Sequence, residues 1–247
     1  LLKARKVFFI GIGGIGISAL AQMMLAQGKE VSGVNDEEGE TTALLRKLGI
    51  EVTARLNLAV GALPEADLYV YSDAWLYRGP EIIEEAKKTG KPVMSYFEAL
   101  GEISKNYKVI AISGTHGKTT TTAMVANVLV DAGLDPTVIV GSFVKSFKSN
   151  FRAGRSEYLV VEADEFARHM LHFHSYIGVV TNIEVDHLDT YKDLDDIKQT
   201  FKKFLAQSEH KITNYEKYLE KVPKLSVPGE HNRMNAAAAL AVAEILN

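Results

Sequence analysis

The chain has 247 residues, 47% of them hydrophobic, with 28 Lys and Arg against 31 Asp and Glu and a net charge of −3. This excludes disorder as the main state and leaves room for one large domain or two modest ones. The charge divides into 12 basic against 14 acidic residues up to Tyr107 and 16 against 17 after it, without the basic surplus that nucleic acid requires, and the absence of cysteine removes disulfides, thiolate metal sites and thiol nucleophiles.

The sequence opens at Leu1 rather than Met, so we expect residues of the natural protein to precede it. Lys3, Arg5 and Lys6 ahead of an apolar run reaching Ala19-Leu20-Ala21 have the outline of a signal peptide. Four glycines between Gly11 and Gly16 weaken an apolar helix, and a strand-like Glu30–Val34 follows, so the segment reads as strand, loop and helix. No other stretch approaches the ~18 apolar residues of a membrane span. The expected location is the cytoplasm, without membrane insertion.

Strand-like and helical runs alternate: 7–11, then a helix over 17–28, strand 30–34, helix 41–49, strand 66–72, helix 80–90 and strand 92–96. This rhythm, with near-continuous apolar strands, predicts a parallel sheet covered on both faces. It restarts at 108–114, followed by a glycine-containing loop, a helix from Lys118 to about Gly133, strands at 137–141, 157–164 and 176–182, and an alanine-rich helix over 235–246. The polar stretch Ser104–Tyr107 separates the two series, giving expected domains 1–106 and 107–247.

The first loop, Gly11-Ile12-Gly13-Gly14-Ile15-Gly16, satisfies G-x-G-x-x-G between strand and helix, where missing side chains let a diphosphate approach backbone N–H groups. Asp36 follows 20 residues after Gly16, where a ribose-binding acid belongs. Alone, this loop admits a nicotinamide oxidoreductase, and it also admits glycines serving only tight packing.

The second loop, Gly114-Thr115-His116-Gly117-Lys118-Thr119-Thr120, is more specific: a Lys at a helix start offers a charge to phosphates and the next hydroxyl can hold Mg²⁺. It departs from the strict P-loop, because Ile112 stands where the first glycine would be. Tyr158–Val161 then ends in Glu162-Ala163-Asp164-Glu165, putting carboxylates suited to hard Mg²⁺ at a strand's C-terminal edge. Ile177–Asn182 is another apolar strand whose exit carries Asp186-His187.

These segments together, GIGGIG (11–16), SGTHGKTTTT (113–122), VVEADE (160–165), VVTNIEVDHLDTY (179–191) and PGEHNRMNAAAA (228–239), resemble the Mur ligases in order and spacing over nearly the whole chain. The resemblance implies an N-terminal Rossmann-like parallel-sheet domain binding the UDP of a sugar substrate, then a P-loop-type α/β ATPase domain. The family's third, C-terminal domain, which receives the amino acid, is not in this sequence. The implied activity is ATP-dependent joining of L-alanine to UDP-N-acetylmuramate through an acyl phosphate in peptidoglycan synthesis. A related ligase adding a recovered peptide to the same sugar, and a nucleotide- and UDP-sugar-binding fragment without turnover, are the alternatives.

Carried over by residue, the resemblance gives ATP contacts to Gly114, Thr115, His116, Gly117, Lys118, Thr119 and Thr120, and to His231, Asn232 and Asn235 at the adenosine end. Thr119 and Glu162 would hold one Mg²⁺, and His187 with Glu162 a second; Lys118, Glu162 and His187 carry the catalysis. Gly13, Gly14, Ile15, Gly16, Ser72 and Arg168 would meet the UDP-sugar. By residue type alone, the 231–235 run also fits an Asn cap on a surface helix.

Three departures stand out. Asp73 replaces the second serine of the family's Ser-Ser-Ala stretch, and Phe166–His174 replaces a polar Asp-bearing segment. His169, His172 and His174 invite a zinc reading, but no cysteine supports them, and a polar loop or substrate contact is expected instead. Only about two dozen residues separate Ala206 from the Gly-x-His-Asn run, so the central domain is expected to be shortened, or to lack residues, near 207–227.

Overall fold

The computed structural model describes residues 3–55, 63–187 and 190–247. Leu188 and Asp189, in the fourth motif, lie outside the described residues. Contacts group the chain into two units, Leu1–Ile103 and Ser104–Asn247.

In the first unit, apolar runs form β1 (Lys6–Ile10), β2 (Glu30–Asn35), β3 (Glu51–Ala54), β4 (Leu68–Tyr71) and β5 (Val93–Ser95). They are parallel, in the order β3-β2-β1-β4-β5. The connections are α1 (Ile15–Ala26), α2 (Glu40–Lys47), α3 (Trp75–Arg78) and α4 (Pro80–Lys88), and α5 (Tyr96–Ser104) follows β5. Pro80 opens α4 at a position where a missing N–H costs nothing. Helix α1 begins at Ile15, two residues ahead of the sequence expectation, because Gly14 already acts as its N-cap. Phe8, Ile10, Val34, Tyr69, Trp75 and Ile83 make a core beneath the sheet's C-terminal edge. The order reverses at β1, whose exit is the first glycine loop, and such switch points are where open α/β sheets place ligands.

The second unit contains β6 (Lys108–Ser113), α6 (Lys118–Asp131), β7 (Thr137–Val144), β8 (Ser149–Arg152), β9 (Tyr158–Glu162), β10 (Ile177–Val180), α7 (Leu194–Ala206), β11 (His210–Ile212) and α8 (Glu230–Ile245). Short 3-10 turns occupy Phe166–His172 and Glu216–Lys221. The sheet order is β11-β10-β6-β9-β7-β8, parallel except for the β7–β8 pair. That antiparallel partner carries β7 past Gly141 to Val144, beyond the expected strand end.

Helix α6 runs between Gly117 (φ +81°) and Gly133 (φ +78°), both in the left-handed region that glycine adopts without a steric penalty. The buried alanines of α8, among them Ala237, Ala238 and Ala241, keep it thin enough to pack with Val125 and Leu129 of α6 over Ile110 and Ile112 of β6. Each fully buried Val or Leu contributes about 1.5–3 kcal/mol. Helix α7 was not evident from periodicity alone. Asp193 caps it by accepting from Asp196 N–H at 2.9 Å, acidic residues fill its first turn, and Ile197, Phe201 and Phe204 are its buried face. Among the described residues no helix is long and apolar enough to cross a membrane.

Candidate nucleotide sites

The second glycine loop leaves β6 between β9 and β10, so the exits of all three strands converge on it. Gly114 has φ +138°, and a Cβ there would sit 2.1 Å from Thr181 Oγ1; at Gly117 it would sit 2.6 Å from Asn235 Oδ1. Backbone contact with its neighbours is possible only without side chains at these two positions. The exit of β10 then pins the loop. Thr115 N–H donates to Asn182 O (3.1 Å), His116 N–H to Asn182 Oδ1 (2.8 Å), and Thr181 Oγ1 and Asn182 Nδ2 donate to His116 O (2.6 and 3.0 Å). Glu184 N–H completes the seam on Thr115 Oγ1 at 2.9 Å.

Gly117 offers α6 no capping side chain, so the first-turn N–H groups form an uncapped helix start where an anion is favoured. Lys118 Nζ lies over this start, donating to Gly114 O (2.7 Å), Thr115 O (3.3 Å) and Glu165 Oε1 (2.9 Å). Thr119 Oγ1 donates to Glu162 Oε2 at 3.2 Å, and Gly141 N–H to Glu162 Oε1 at 2.7 Å. Burial pushes the Glu162 carboxyl above its ordinary range, against the opposing pull of Gly141 N–H, Thr119 and Lys118. A desolvated carboxylate beside a hydroxyl, both oxygen donors, fits a hard divalent cation.

Glu165 is only 3% exposed, and its Oε2 is buried without a hydrogen-bond partner. His187, itself at φ +52°, brings Nε2 to 3.6 Å from Glu165 Oε1 and 3.8 Å from Asp186 Oδ2. The carboxylate that His187 meets directly across the site is therefore Glu165. The chain turns sharply after β9, with Met170 N–H on Asp164 O, and this turn carries Glu165 toward the exit of β10.

Arg168 lies in this second unit, on a pair of left-handed residues, Ala167 (φ +46°) and Arg168 (φ +60°). Its guanidinium is engaged: Nη2 donates to both oxygens of Asp196 (3.0 and 2.8 Å), Nη1 donates to Thr200 Oγ1, and the group stacks 4.9 Å from the Tyr191 ring centre. The Arg168 hydrogen bond holds the Asp196 carboxyl below its ordinary range. Tyr191 donates its hydroxyl to Glu165 O, and burial pushes that phenol up to about 12. His169 is buried beside the Phe166 and His172 rings.

At α8, Asn235 is buried against Gly117, whereas Asn232 Nδ2 donates to Pro228 O at 2.7 Å and the His231 ring lies against Gly229. The N-cap of α8 is Gly229 without a side-chain cap bond, so no Asn of this run caps the helix, and Asn235 is the one that packs on the loop. Glu165 stood among the carboxylates of 162–165 without a separate role, and Asn182, Tyr191 and Asp196 were given none. Asn182 and Tyr191 both lie in the quoted 179–191 motif, and Asp196 carried no signal.

The first unit repeats the theme with looser means. Gly11 (φ +81°) lies under Trp75, whose Nε1 would be 2.3 Å from an added Cβ, and Gly13 N–H donates to Asn35 Oδ1 at 3.0 Å. Gly14 caps α1 without a side chain, Ile15 is partly exposed, and Gly16 lies against the Tyr96 ring. Ser72 comes close to this loop, its Oγ 3.9 Å from a Cβ built on Gly14. Asp36 is paired with Arg55 at 3.4 Å, and Arg55 also bonds Glu81 and the carbonyl of Arg78 and stacks on Trp75.

Two α/β units each place a helix start that no side chain caps behind a glycine loop, and one of them adds a Lys, a Thr and a buried carboxylate, an arrangement that favours an anion. The chain belongs to the Mur ligase family: residues 6–108 match the model described as "Mur ligase family, catalytic domain" and residues 112–224 the "Mur ligase middle domain". It is 43% identical over 202 residues to the UDP-N-acetylmuramate–L-alanine ligase of Clostridium perfringens, covering 81% of this chain and 44% of that protein. The ligase of the same name from Clostridium kluyveri is 36% identical over 295 aligned positions, covering all of this chain and 64% of that protein. Among solved structures, the UDP-N-acetylmuramate–alanine ligase of Thermotoga maritima matches with TM-score 0.82 and 31% identity over 98% of this chain and 65% of that one. The UDP-N-acetylmuramate:L-alanyl-γ-D-glutamyl-meso-diaminopimelate ligase of Neisseria meningitides matches with TM-score 0.83 and 27% identity over 99% and 94%. The chain thus spans about half to two-thirds of the length of the L-alanine ligases it matches.

Proposed function

We propose that this chain is the nucleotide-handling part of an ATP-dependent ligase that joins L-alanine to the lactyl carboxylate of UDP-N-acetylmuramate, a cytoplasmic step in peptidoglycan synthesis. The observation that carries this is that, at the uncapped start of α6, Lys118 meets Glu165 and Thr119 meets Glu162. The names of the relatives support the choice of substrates. The domain assignment follows: residues 1–106 bind the UDP-sugar through Gly13, Gly14, Ile15, Gly16 and Ser72, and residues 107–247 bind ATP. The Clostridium kluyveri alignment is 48 positions longer than this chain.

A carboxylate resists attack by an amine because oxide is a poor leaving group. Phosphorylation by ATP gives an acyl phosphate, and the neutral amine of L-alanine then displaces phosphate. The residues here perform positioning and charge neutralisation, as phosphoryl transfer demands. Lys118 and the N–H groups of α6 receive the triphosphate, Asn235, Asn232 and His231 face its adenosine end, and Gly114–Thr120 shape the cradle. Thr119 and Glu162 would hold one Mg²⁺ and His187 with Glu162 a second, and such ions would supply neutralisation of the charge that develops on the transferred group. Arg168, held by Asp196 and Thr200, acts by fixing the Glu165 turn.

The test incubates the protein with ATP, Mg²⁺ and UDP-N-acetylmuramate, adding either L-alanine or the L-alanyl-γ-D-glutamyl-meso-diaminopimelate tripeptide, and measures phosphate release. Release with L-alanine is expected. Release only with the tripeptide would favour the activity named for the Neisseria protein, whose chain this one covers to 94%. Binding of both nucleotides without release would make the chain a binding unit only, and tight NADH binding without UDP-sugar binding would overturn the assignment.

A further inference from the structure

Glu165 takes part in the site in a way that its neighbour Glu162 does not. Its side chain is almost wholly buried, and burying a carboxylate is costly unless both oxygens are satisfied. Oε1 is satisfied by Lys118 at 2.9 Å, with His187 at 3.6 Å, whereas Oε2 is buried with no partner. Arg168 N–H (3.0 Å) and the Tyr191 hydroxyl both hold its main-chain carbonyl, which fixes the backbone from which the carboxylate extends. A triphosphate arriving at Lys118 would place its negative charge beside this carboxylate, which repels it unless a cation arrives too.

Resting on the nucleotide reading above, we propose that Glu165 is a cation-facing carboxylate of the ATP site. It holds Lys118 with one oxygen and presents the other to the divalent cation that accompanies the triphosphate. The residue makes nucleotide binding conditional on the metal: it supports Mg²⁺-ATP and opposes metal-free ATP. Glu162, anchored by Thr119 and Gly141 N–H, has no such contact with Lys118 at hydrogen-bond distance.

The experiment is calorimetric titration of the protein with ATP, once in Mg²⁺ and once in EDTA, for wild type, Glu165→Gln and Glu165→Asp. In wild type, Mg²⁺ is expected to tighten binding. In Glu165→Gln that gain should shrink roughly 10- to 100-fold, the cost typical of losing a group that supports a metal site, while affinity in EDTA stays level or rises. Glu165→Asp, which keeps the charge on a shorter arm, should fall between. A merely structural role would lower both affinities together, and that result, or an unchanged Mg²⁺ gain in Glu165→Gln, overturns the proposal. Wild type that binds no ATP in either buffer overturns the nucleotide reading and this assignment with it.

Discussion

Asn235, on α8, fills the space that a side chain at Gly117 would need: a Cβ built there lies 2.6 Å from Asn235 Oδ1. Two residues 118 positions apart in sequence therefore pack together at the start of α6, the proposed ATP cradle, and the φ of +81° at Gly117 adds a backbone requirement to the steric one. Gly117→Ala should destabilise the protein by about 1–3 kcal/mol through the left-handed backbone alone. It should also weaken ATP binding. Adding Asn235→Ala should relieve the steric part and leave the backbone part, which thermal unfolding of the single and double variants separates.

Lys118 is the counter-ion of a buried carboxylate as well as the proposed phosphate ligand. In the full-length ligase Lys118→Ala should abolish ATP-dependent acyl phosphate formation while leaving UDP-sugar affinity nearly intact, and it should destabilise by about 3–5 kcal/mol because Glu165 is left buried and unpaired. Combining it with Glu165→Gln should restore most of the stability and none of the ATP binding. Equal loss of ATP and UDP-sugar affinity in Lys118→Ala would show that the two glycine loops are not separate sites.

The converse test lies in the first unit. A Cβ at Gly13 would lie 2.5 Å from the Asn35 side-chain amide, whose Oδ1 accepts the Gly13 N–H. Gly13→Ala must displace Asn35 and close the approach to the start of α1, so UDP-N-acetylmuramate affinity should fall at least tenfold, about 1.4 kcal/mol, while ATP affinity is unchanged. Paired calorimetric titrations decide it.

Asp196 gives a pH signature. Its hydrogen bond from Arg168 holds its carboxyl below the usual aspartate range near 3.9, so the folded state prefers the ionised form. For a depressed carboxyl the stabilisation is present above the unfolded pKa and is lost as pH falls through the folded one. Asp196→Asn should therefore lower the urea midpoint at neutral pH, and the gap from wild type should close as the buffer is taken below the aspartate range. A constant gap at all pH values would mean that Arg168 is held chiefly by Thr200 and Tyr191.

What the sequence by itself determined is local: a strand, a glycine loop and a helix are contiguous, and the residue types that permit the turn stand next to those that bind the anion. The two strand–helix rhythms, the loops at Gly11–Gly16 and Gly114–Thr120, Lys118 and Thr119 were legible for that reason, and Glu162 because it ends an apolar strand. The short edge strands β3, β8 and β11 were not, because Glu-Val-Thr-Ala, Ser-Asn-Phe-Arg and His-Lys-Ile have too few apolar positions to show a period. Helix α7 owes its buried face to the turn at Phe166–His172 and to β10, which no neighbouring residue announces. Only the tertiary structure decided which charge meets which: Lys118 with Glu165, His187 with Glu165, Arg168 with Asp196, and Asn182 with the loop. Those pairings depend on sheet order, which brings the exits of β9 and β10 to either side of β6, and sheet order is set by packing the whole core.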